Sequence, residues 1–335
     1  VYGSDSRPAL NPAFVARYGY PNTAFISGRG LFQPRFGFEF TPTRTVNIRG
    51  SLGIVGGGAP DVYLSNSFSN TGILSNLVDI RQLNPLPDGT QVYQGAPTPV
   101  ALAALTNVNG GTIPTAVNNQ LVTGVSAAAT NATAPNFKIP SQWRATLSAD
   151  WTPTFGDGAF GRGWTFGADF LYSDVRNQVF FTDARLTPTA LTTPDGRTRY
   201  ASLTTFADTL NDIILANTKK GRSYVAVARI RKDFDFGLNI GASYTFQNIK
   251  DQTPATSSTA GSNYANGAFL DANGAAYGTS NDEVKHAFKY DLTFDHAFFG
   301  DYKTTFALFG ETRIGRPYSH TFQDTSSGRS QIFGT

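Results

Sequence analysis

Residues 143–151 read Trp-Arg-Ala-Thr-Leu-Ser-Ala-Asp-Trp, and this stretch decides the fold. Its odd positions are apolar or aromatic, whereas its even positions, from Arg144 to Asp150, are charged or carry hydroxyl groups. A period of two predicts a β-strand with one apolar and one polar face. Trp143 and Trp151 share the apolar face, roughly 20 Å apart along the normal of a membrane crossed by a strand tilted at ~40°. This spacing fits the ~25 Å apolar band of a transmembrane β-strand, which has aromatic residues at both boundaries.

The same alternation recurs on both sides of this stretch. It is regular at 32–40, 46–54, 164–172, 238–247 and 288–295, and less regular at 222–233 and 302–313. Short predicted turns join these stretches in pairs, at 41–44, 153–162, 233–235 and 297–301. Long polar segments separate the pairs, at 56–140, 186–220, 250–283 and 315–330. Such long loops are uncommon in compact soluble domains, whereas outer-membrane barrels alternate short turns with long external loops.

The aromatic residues are banded along the predicted strands. They make up 13% of the chain, against only 15% charged residues. One band gathers around the short turns and includes Phe38, Trp151, Trp164 and Phe294. A second band lies further along the strands. A soluble antiparallel sheet also alternates when one face is solvated, but it has no reason to sort its aromatics by height.

Composition excludes several classes of protein. Without Cys, the chain has no disulfide, zinc-thiolate or iron–sulfur site. The longest clean apolar run, 100–105, is too short for a membrane helix but predicts a short helix within the longest loop. A net charge of +3 without basic clusters does not indicate nucleic-acid binding. The chain also lacks Met, so Val1 is expected to open a processed product or a fragment.

These patterns predict an all-β fold, an antiparallel transmembrane β-barrel with long extracellular loops. Residues 1–30 are expected to form an irregular segment leading into the barrel. Residues 31–335 are expected to form the barrel segment, with a long loop insertion at 56–140. The eight to eleven predicted strands leave open edges, which lipid does not tolerate. The chain is therefore expected to be part of a larger barrel.

Several stretches carry a family resemblance. Residues 30–38 (GLFQPRFGF) and 46–54 (VNIRGSLGI) resemble the LQPRxGF and VLRGGxGxF strands of TonB-dependent outer-membrane receptors of the Oar-like group. Further similar stretches follow in order at 59–72, 137–144, 172–175 and 310–318. The resemblance implies a 22-stranded barrel with an N-terminal plug, powered by an inner-membrane energy-transducing protein. Because no plug or energy-coupling box is present in the sequence, we expect an internal or C-terminal-half piece of such a barrel.

Motifs for catalysis or metal binding are missing from the sequence. It has no nucleophile elbow, no phosphate-binding loop and no His-Glu-x-x-His motif. His286 and His296 are an even number of residues apart, so they lie on the same face of one predicted strand. We interpret them as aromatic residues at the membrane interface rather than as metal ligands. We therefore expect a protein that is not an enzyme and has neither a metal nor another cofactor.

Charged residues on the polar face of the predicted strands are the main candidates for functional residues. They could line a translocation path or dock a plug, or they could simply satisfy one another as a mixed-sign network. The set comprises Arg35, Glu39, Arg49, Arg144, Asp150, Asp169, Arg176, Arg229, Arg231, Lys289, Asp291, Asp295, Glu311 and Arg313.

The loop at 56–140 is the candidate region for external ligand contact, because loops on rigid scaffolds carry function. Tyr63, Asn66, Phe68 and Asn70 offer aromatic and amide groups suited to sugars or peptides. The alternative interpretation is a loop that only packs over the barrel mouth.

The resulting functional hypothesis is a component of an outer-membrane receptor or transporter of a Gram-negative bacterium. It would take up or anchor an unidentified ligand with energy coupling. The expected partners are the bilayer, the remainder of the barrel and plug, the energy-transducing protein, and a surface protein, peptide or sugar; nucleic acid is not among them. A passive porin or adhesin is one alternative, and a soluble secreted carbohydrate-binding β-protein is another.

Overall fold

A computed structural model gives the fold of most of the chain. The described residues are 7–57, 61–73, 81–82, 85–90, 93–94, 98–106, 113–123, 129–192, 194, 196–202, 211–252, 255–266, 269–270, 273–274, 276–322 and 332–333. The strands are β1 (Arg35–Thr43), β2 (Val46–Gly56), β3 (Arg81–Gln82), β4 (Tyr93–Gln94), β5 (Ala132–Thr133), β6 (Ser141–Trp151), β7 (Trp164–Asp183), β8 (Leu186–Thr192), β9 (Thr198–Ser202), β10 (Ile213–Thr218), β11 (Arg222–Asp233), β12 (Leu238–Asp251), β13 (Gly278–Thr279), β14 (His286–Phe299), β15 (Tyr302–Arg313), β16 (Thr321–Phe322) and β17 (Ile332–Phe333). The helices are α1 (Pro12–Tyr18), α2 (Asp61–Ser69), α3 (Thr98–Thr106), α4 (Thr115–Thr123) and α5 (Ala260–Ala265).

Eight long strands form one antiparallel meander in the order β1-β2-β6-β7-β11-β12-β14-β15. Each of them pairs with the next long strand along the chain, and four of these seven pairs are the hairpins that the predicted turns join. The short strands β5, β10 and β13 bring this sheet to eleven strands, within the predicted range of eight to eleven. The sheet is not closed in the part of the chain that is described, since β1 and β15 each pair on one side only.

Hairpin turns lie at one end of the meander and long connections at the other. The turns span 44–45, 152–163, 234–237 and 300–301, within a few residues of their predicted positions. In the third turn Gly237 has a φ of 93°, which a side chain would strain. Three long connections, at 57–140, 184–221 and 252–285, emerge at the opposite end, which we call the loop end. The short helix predicted near 100–105 is α3.

The pairing register divides the meander into two faces. Leu147 pairs with Gly50 and Phe170, whereas its neighbour Ser148 pairs with Arg49 and Asp169. Large side chains on the apolar face remain exposed, with Phe36 at 67% and Leu147 at 49%. So many exposed apolar side chains on one face indicate contact with a nonaqueous partner. Further members of this face are Phe38, Phe40, Leu52, Trp143, Trp151, Phe170, Ile230, Ile240, Tyr244, Phe288, Tyr290, Phe306 and Leu308.

The main hydrophobic core lies at the loop end rather than inside the sheet. We call this region the cap; it comprises α1, α2, β5, β10, α5 and the last part of β7. Phe14, Phe137, Phe181 and Tyr264 are almost fully buried in it. The rings of Tyr63 and Phe181 meet edge to face, with 5.7 Å between their centroids. The long loops therefore fold together into a packed unit with its own core.

Helix α1 lies within the N-terminal segment, for which only irregular structure was predicted. The Asn11 side chain accepts hydrogen bonds from the backbone N–H groups of Ala13 and Phe14, capping the helix. Pro12 occupies the first turn, and Gly19 ends the helix with a φ of 75°. Phe14 is fully buried against Tyr18 and Tyr20. The segment before β1 is therefore part of the cap.

No described helix is long and apolar enough to cross a membrane.

Candidate functional site

The charges predicted to share one face do share it. When the strand pairing is followed across the eight long strands, thirteen of these residues lie on the same face of the sheet. They are Arg35, Glu39, Arg49, Arg144, Asp150, Asp169, Arg229, Arg231, Lys289, Asp291, Asp295, Glu311 and Arg313. The exception is Arg176. Ser141 pairs with Asn177 while Gln142 pairs with Val175, so Arg176 is the extra residue of a β-bulge.

A four-residue charge network joins four strands on this polar face. Arg49 Nη2 lies 2.8 Å from Asp150 Oδ2. The Arg229 guanidinium contacts the other oxygen of Asp150 and also lies 2.7 Å from Asp169 Oδ2. The network therefore contains two arginines and two aspartates, and its formal charge is zero.

Gly167 makes this network possible. Gly167 pairs directly with Arg229, and it also pairs with Asp150 on its other side. The arginine side chain lies across the glycine: a Cβ built on Gly167 would be 2.1 Å from Arg229 Nε. Because nothing projects from Gly167, Arg229 can cross β7 and reach Asp150 on β6.

Other predicted charges on this face have local partners. Asn47 donates a 2.7 Å hydrogen bond to Glu39, and Arg231 lies 2.8 Å from Asp233 two residues along its own strand. Asp295 accepts a 2.6 Å hydrogen bond from the Thr305 hydroxyl and lies 3.0 Å from Lys303. Glu311 and Arg313 form a looser pair at 3.7 Å.

The remaining charges are more open. Arg35 is within 3.4 Å of Gln33, a weak contact. Arg144, Lys289 and Asp291 have no ion-pair partner among the described residues. These side chains are the ones free to meet another segment or a solute. The face also carries apolar side chains, namely Leu171, Val225, Val227 and Phe309.

In the cap, the buried carboxylate of Asp212 is the polar centre. It accepts hydrogen bonds from Arg17 Nη1 (2.9 Å), the Tyr18 hydroxyl (2.6 Å), the Thr130 backbone N–H (2.9 Å) and Arg185 Nη2 (3.2 Å). Asp212 thereby ties α1 to two of the long connections.

Burial shifts the ionisation of groups around this centre. The pKa of Tyr18 is raised, first by burial and then by its hydrogen bond to Asp212. Burial also raises the pKa of the neighbouring carboxyl group of Asp183, against the opposing hydrogen bond from Asn211. Tyr18 therefore stays neutral and acts as a donor to the carboxylate.

The residues predicted to contact an external ligand mostly face inward. Tyr63 is buried and donates a hydrogen bond to the Ala255 carbonyl. Asn66 is also buried; its amide donates to the Ser258 carbonyl and accepts from the backbone N–H of Ala260 at the start of α5. Phe68 packs edge to face on Phe25, with 5.1 Å between ring centroids.

Among these four candidates, only Asn70 is exposed. The side chains of Tyr63 and Asn66 are occupied inside the cap, so a ligand would meet them only if the cap opened. The arrangement favours the alternative interpretation of this loop, in which it packs with its neighbours.

A sequence model described as the outer membrane beta barrel domain matches residues 4–310. The chain belongs to this family. The outer membrane barrel domain is thus located in the outer membrane of a Gram-negative bacterium. In an outer membrane barrel an apolar face meets lipid, a polar face lines the interior, and the long loops are extracellular.

Two solved structures are similar to this barrel domain. The FrpB iron transporter from Neisseria meningitidis (F3-3 variant) matches with 9% identity and a TM-score of 0.33, over 83% of this chain and 26% of that one. The siderophore receptor PirA from Pseudomonas aeruginosa matches with 11% identity and a TM-score of 0.34, over 86% of this chain and 36% of that one. The chain thus spans about a quarter to a third of the length of these proteins. A comparison with curated proteins finds no match.

Two residues that hold the polar face and the cap together, Gly167 and Asp212, were not predicted from the sequence. The role of Gly167 could have been predicted, because a glycine on the polar face of a strand leaves space for a long side chain from the next strand. The role of Asp212 could not, since its partners are 27 to 195 residues away in sequence. Among the described residues, no group of three His, Asp or Glu side chains is placed to hold a metal ion.

Proposed function

We propose that this barrel domain is part of an energy-coupled outer-membrane receptor of the Oar-like group, which takes up or anchors an unidentified ligand. It would work with a plug inside the barrel and with an inner-membrane energy-transducing protein. In this proposal the domain is a binding and transport component rather than an enzyme, and it needs no cofactor.

The observation that carries the proposal is the neutral charge network on the polar face. Arg49, Asp150, Arg229 and Asp169 satisfy one another, so they create no net field that would select anions or cations. An open selective pore uses rings of one charge sign instead. A mixed-sign polar wall with a few open charges suits hydrogen bonding to a plug.

The cap gives a second line of support. Its packed core and the buried Asp212 centre hold the long loops in one arrangement. Rigid loops at the extracellular mouth suit recognition of a specific solute or partner, because less conformational entropy is lost on binding. The motif order at 30–38, 46–54 and 137–144 supports the Oar-like assignment.

Electrical conductance distinguishes the receptor from a passive porin. The full-length protein is inserted into a planar bilayer, and the current carried by KCl is recorded with and without urea. A plugged receptor is expected to stay closed until the denaturant unfolds the plug. A steady open conductance without denaturant would contradict the proposal and favour the porin.

A further inference from the structure

Two arginines lie side by side on the polar face, at the loop end of the sheet and away from the charge network. Arg35 begins β1 and Arg144 lies near the start of β6, and both side chains are exposed. Both pair with Gly53 on β2, Arg35 from one side and Arg144 from the other. We call the two arginines with the glycine between them the arginine shelf. Two strand spacings, roughly 10 Å, separate the Cα atoms of the arginines.

Gly53 allows the two guanidinium groups to approach each other. A Cβ built on Gly53 would be only 2.9 Å from Arg35 Cγ. The Arg35 side chain therefore extends across β2, in the direction of Arg144. A guanidinium group is a planar fork of N–H donors that matches the two oxygens of a carboxylate. The shelf can thus hold one carboxylate between two forks.

The shelf has no carboxylate of its own. Neither arginine forms an ion pair with a described residue. The only carboxylate on β1 is Glu39, four residues and roughly 13 Å along the strand, where it accepts a hydrogen bond from Asn47. The only one on β6 is Asp150, roughly 20 Å along the strand and held in the charge network. The shelf therefore carries a formal charge of +2.

Uncharged hydrogen-bonding groups continue the shelf. Ser173 pairs with Arg144, and Ser223 pairs with Ser173, so both hydroxyl groups lie in the same register row. Gln142 lies two residues from Arg144 on the same face of β6. None of these three side chains forms a hydrogen bond with another described residue. The shelf and its neighbours therefore present a group of donors without acceptors.

A cavity adjoins the shelf on the side of the cap. Its volume is about 330 Å³, within the range of small-molecule sites. Val55, Gln142 and Val175 line it, and they pair with one another one register row beyond the shelf. The lining also includes the amide residues Asn177 and Gln178. A small polar solute could thus contact the shelf and the cavity together.

We propose that the arginine shelf and this cavity bind a small hydroxylated carboxylic acid, such as a sugar acid. Its carboxylate lies between Arg35 and Arg144, and its hydroxyl groups bond to Gln142 and the two serines. A small solute fits better than a protein segment, because the donors adjoin a cavity of limited volume rather than a flat surface. This inference names the ligand chemistry of the receptor proposed above, and it rests on that proposal.

Isothermal titration calorimetry of the full-length protein in detergent tests the site, with galacturonate as the probe and galactose as its uncharged counterpart. Galacturonate is expected to bind at least tenfold more tightly than galactose. Arg35→Gln and Arg144→Gln are each expected to weaken galacturonate binding at least tenfold. Lys285→Gln is the matched control, because it removes an exposed cation just before β14 at the same end of the sheet. Equal affinity for the two sugars, or equal loss in the control and arginine variants, would overturn the proposal.

A second arm separates carboxylate recognition from general attraction of anions. Arg144→Lys keeps the charge but loses the planar fork, so it is expected to bind galacturonate several-fold more weakly than the unmodified protein. Inorganic phosphate at the same concentration is expected to leave galacturonate bound. Displacement by phosphate, together with full affinity in Arg144→Lys, would reduce the shelf to a simple anion site and refute the inference.

The calorimetry and the conductance experiment above fail separately. Binding at equilibrium needs no energy-transducing protein. A protein that stays closed in the bilayer but binds no galacturonate would contradict this inference and leave the receptor standing. A protein that conducts steadily would contradict the receptor, whatever it binds.

Discussion

At the scale of single residues, Gly167 controls the polar face by having no side chain. Gly167→Ala places a Cβ where Arg229 Nε now lies, so the arginine must leave Asp150 and Asp169. We expect a loss of about 1–3 kcal/mol in the free energy of unfolding, as for other overpacked sites. Urea unfolding of the full-length protein from vesicles measures it.

Gly37→Ala is the matched control for this change, because it lies on the same face with only a 3.7 Å contact to a backbone oxygen. Its free energy of unfolding is expected to change by less than about 0.5 kcal/mol. If the two alanine variants were equally stable, Gly167 would have no special role in placing Arg229.

Asp212 gives the residue-scale prediction for the cap. Asp212→Asn leaves Arg17 and the buried Arg185 without the carboxylate that they share. Breaking a buried ion pair in this way costs about 3–5 kcal/mol. We expect the cap to become sensitive to limited proteolysis from outside the cell while the strands stay protected.

Asp282→Asn serves as the control for Asp212→Asn, because Asp282 and Arg316 form a surface pair at the same loop end of the sheet. Surface pairs contribute little to stability, so its digestion pattern is expected to match that of the unmodified protein. A resistant cap in Asp212→Asn would show that the apolar core alone holds the long loops together.

At the scale of elements, the strands were the most predictable part of the molecule. The period of two across 143–151 fixes both the strand and its faces, because every second side chain has to meet lipid. Strand β7 was less predictable, since its twenty residues leave the membrane and end inside the cap. Helix α1 was also missed, although Asn11, Pro12 and Gly19 carry its capping signals.

Neighbouring residues of β6 test the assignment of the two faces. Leu147→Arg puts a charge against the bilayer near its midplane and is expected to cost about 2–4 kcal/mol of the free energy of unfolding. Thr146→Arg puts the same charge on the polar face and loses one hydrogen bond to Ser51, a cost of about 1 kcal/mol. Equal losses in the two variants would contradict the assigned faces.

At the scale of the whole molecule, the sequence predicted the membrane sheet but not the cap. The sheet depends on local alternation, which each stretch displays by itself. The cap depends on contacts between segments more than a hundred residues apart, such as Asn11 with Thr130. For that reason Tyr63 and Asn66 looked like ligand residues in the sequence, although both are buried in the structure.

The open edges at β1 and β15 also belong to this scale. Unpaired backbone groups are not tolerated in lipid, so we expect both edges to pair with further strands in the membrane. A 22-stranded barrel, as the family resemblance implies, would provide them. The number of strands stays a prediction.

The most direct measurement is a cysteine scan of residues 143–150 in the full-length protein in vesicles. This chain contains no cysteine, so each introduced thiol is unique within it. Each is labelled with a polarity-sensitive fluorophore, and quenching by lipids with brominated acyl chains is recorded. We predict quenching at the odd positions, such as 145 and 147, and none at 146 and 148. Uniform quenching, no quenching, or the opposite alternation would contradict a sheet with one face in lipid and the other lining a barrel interior.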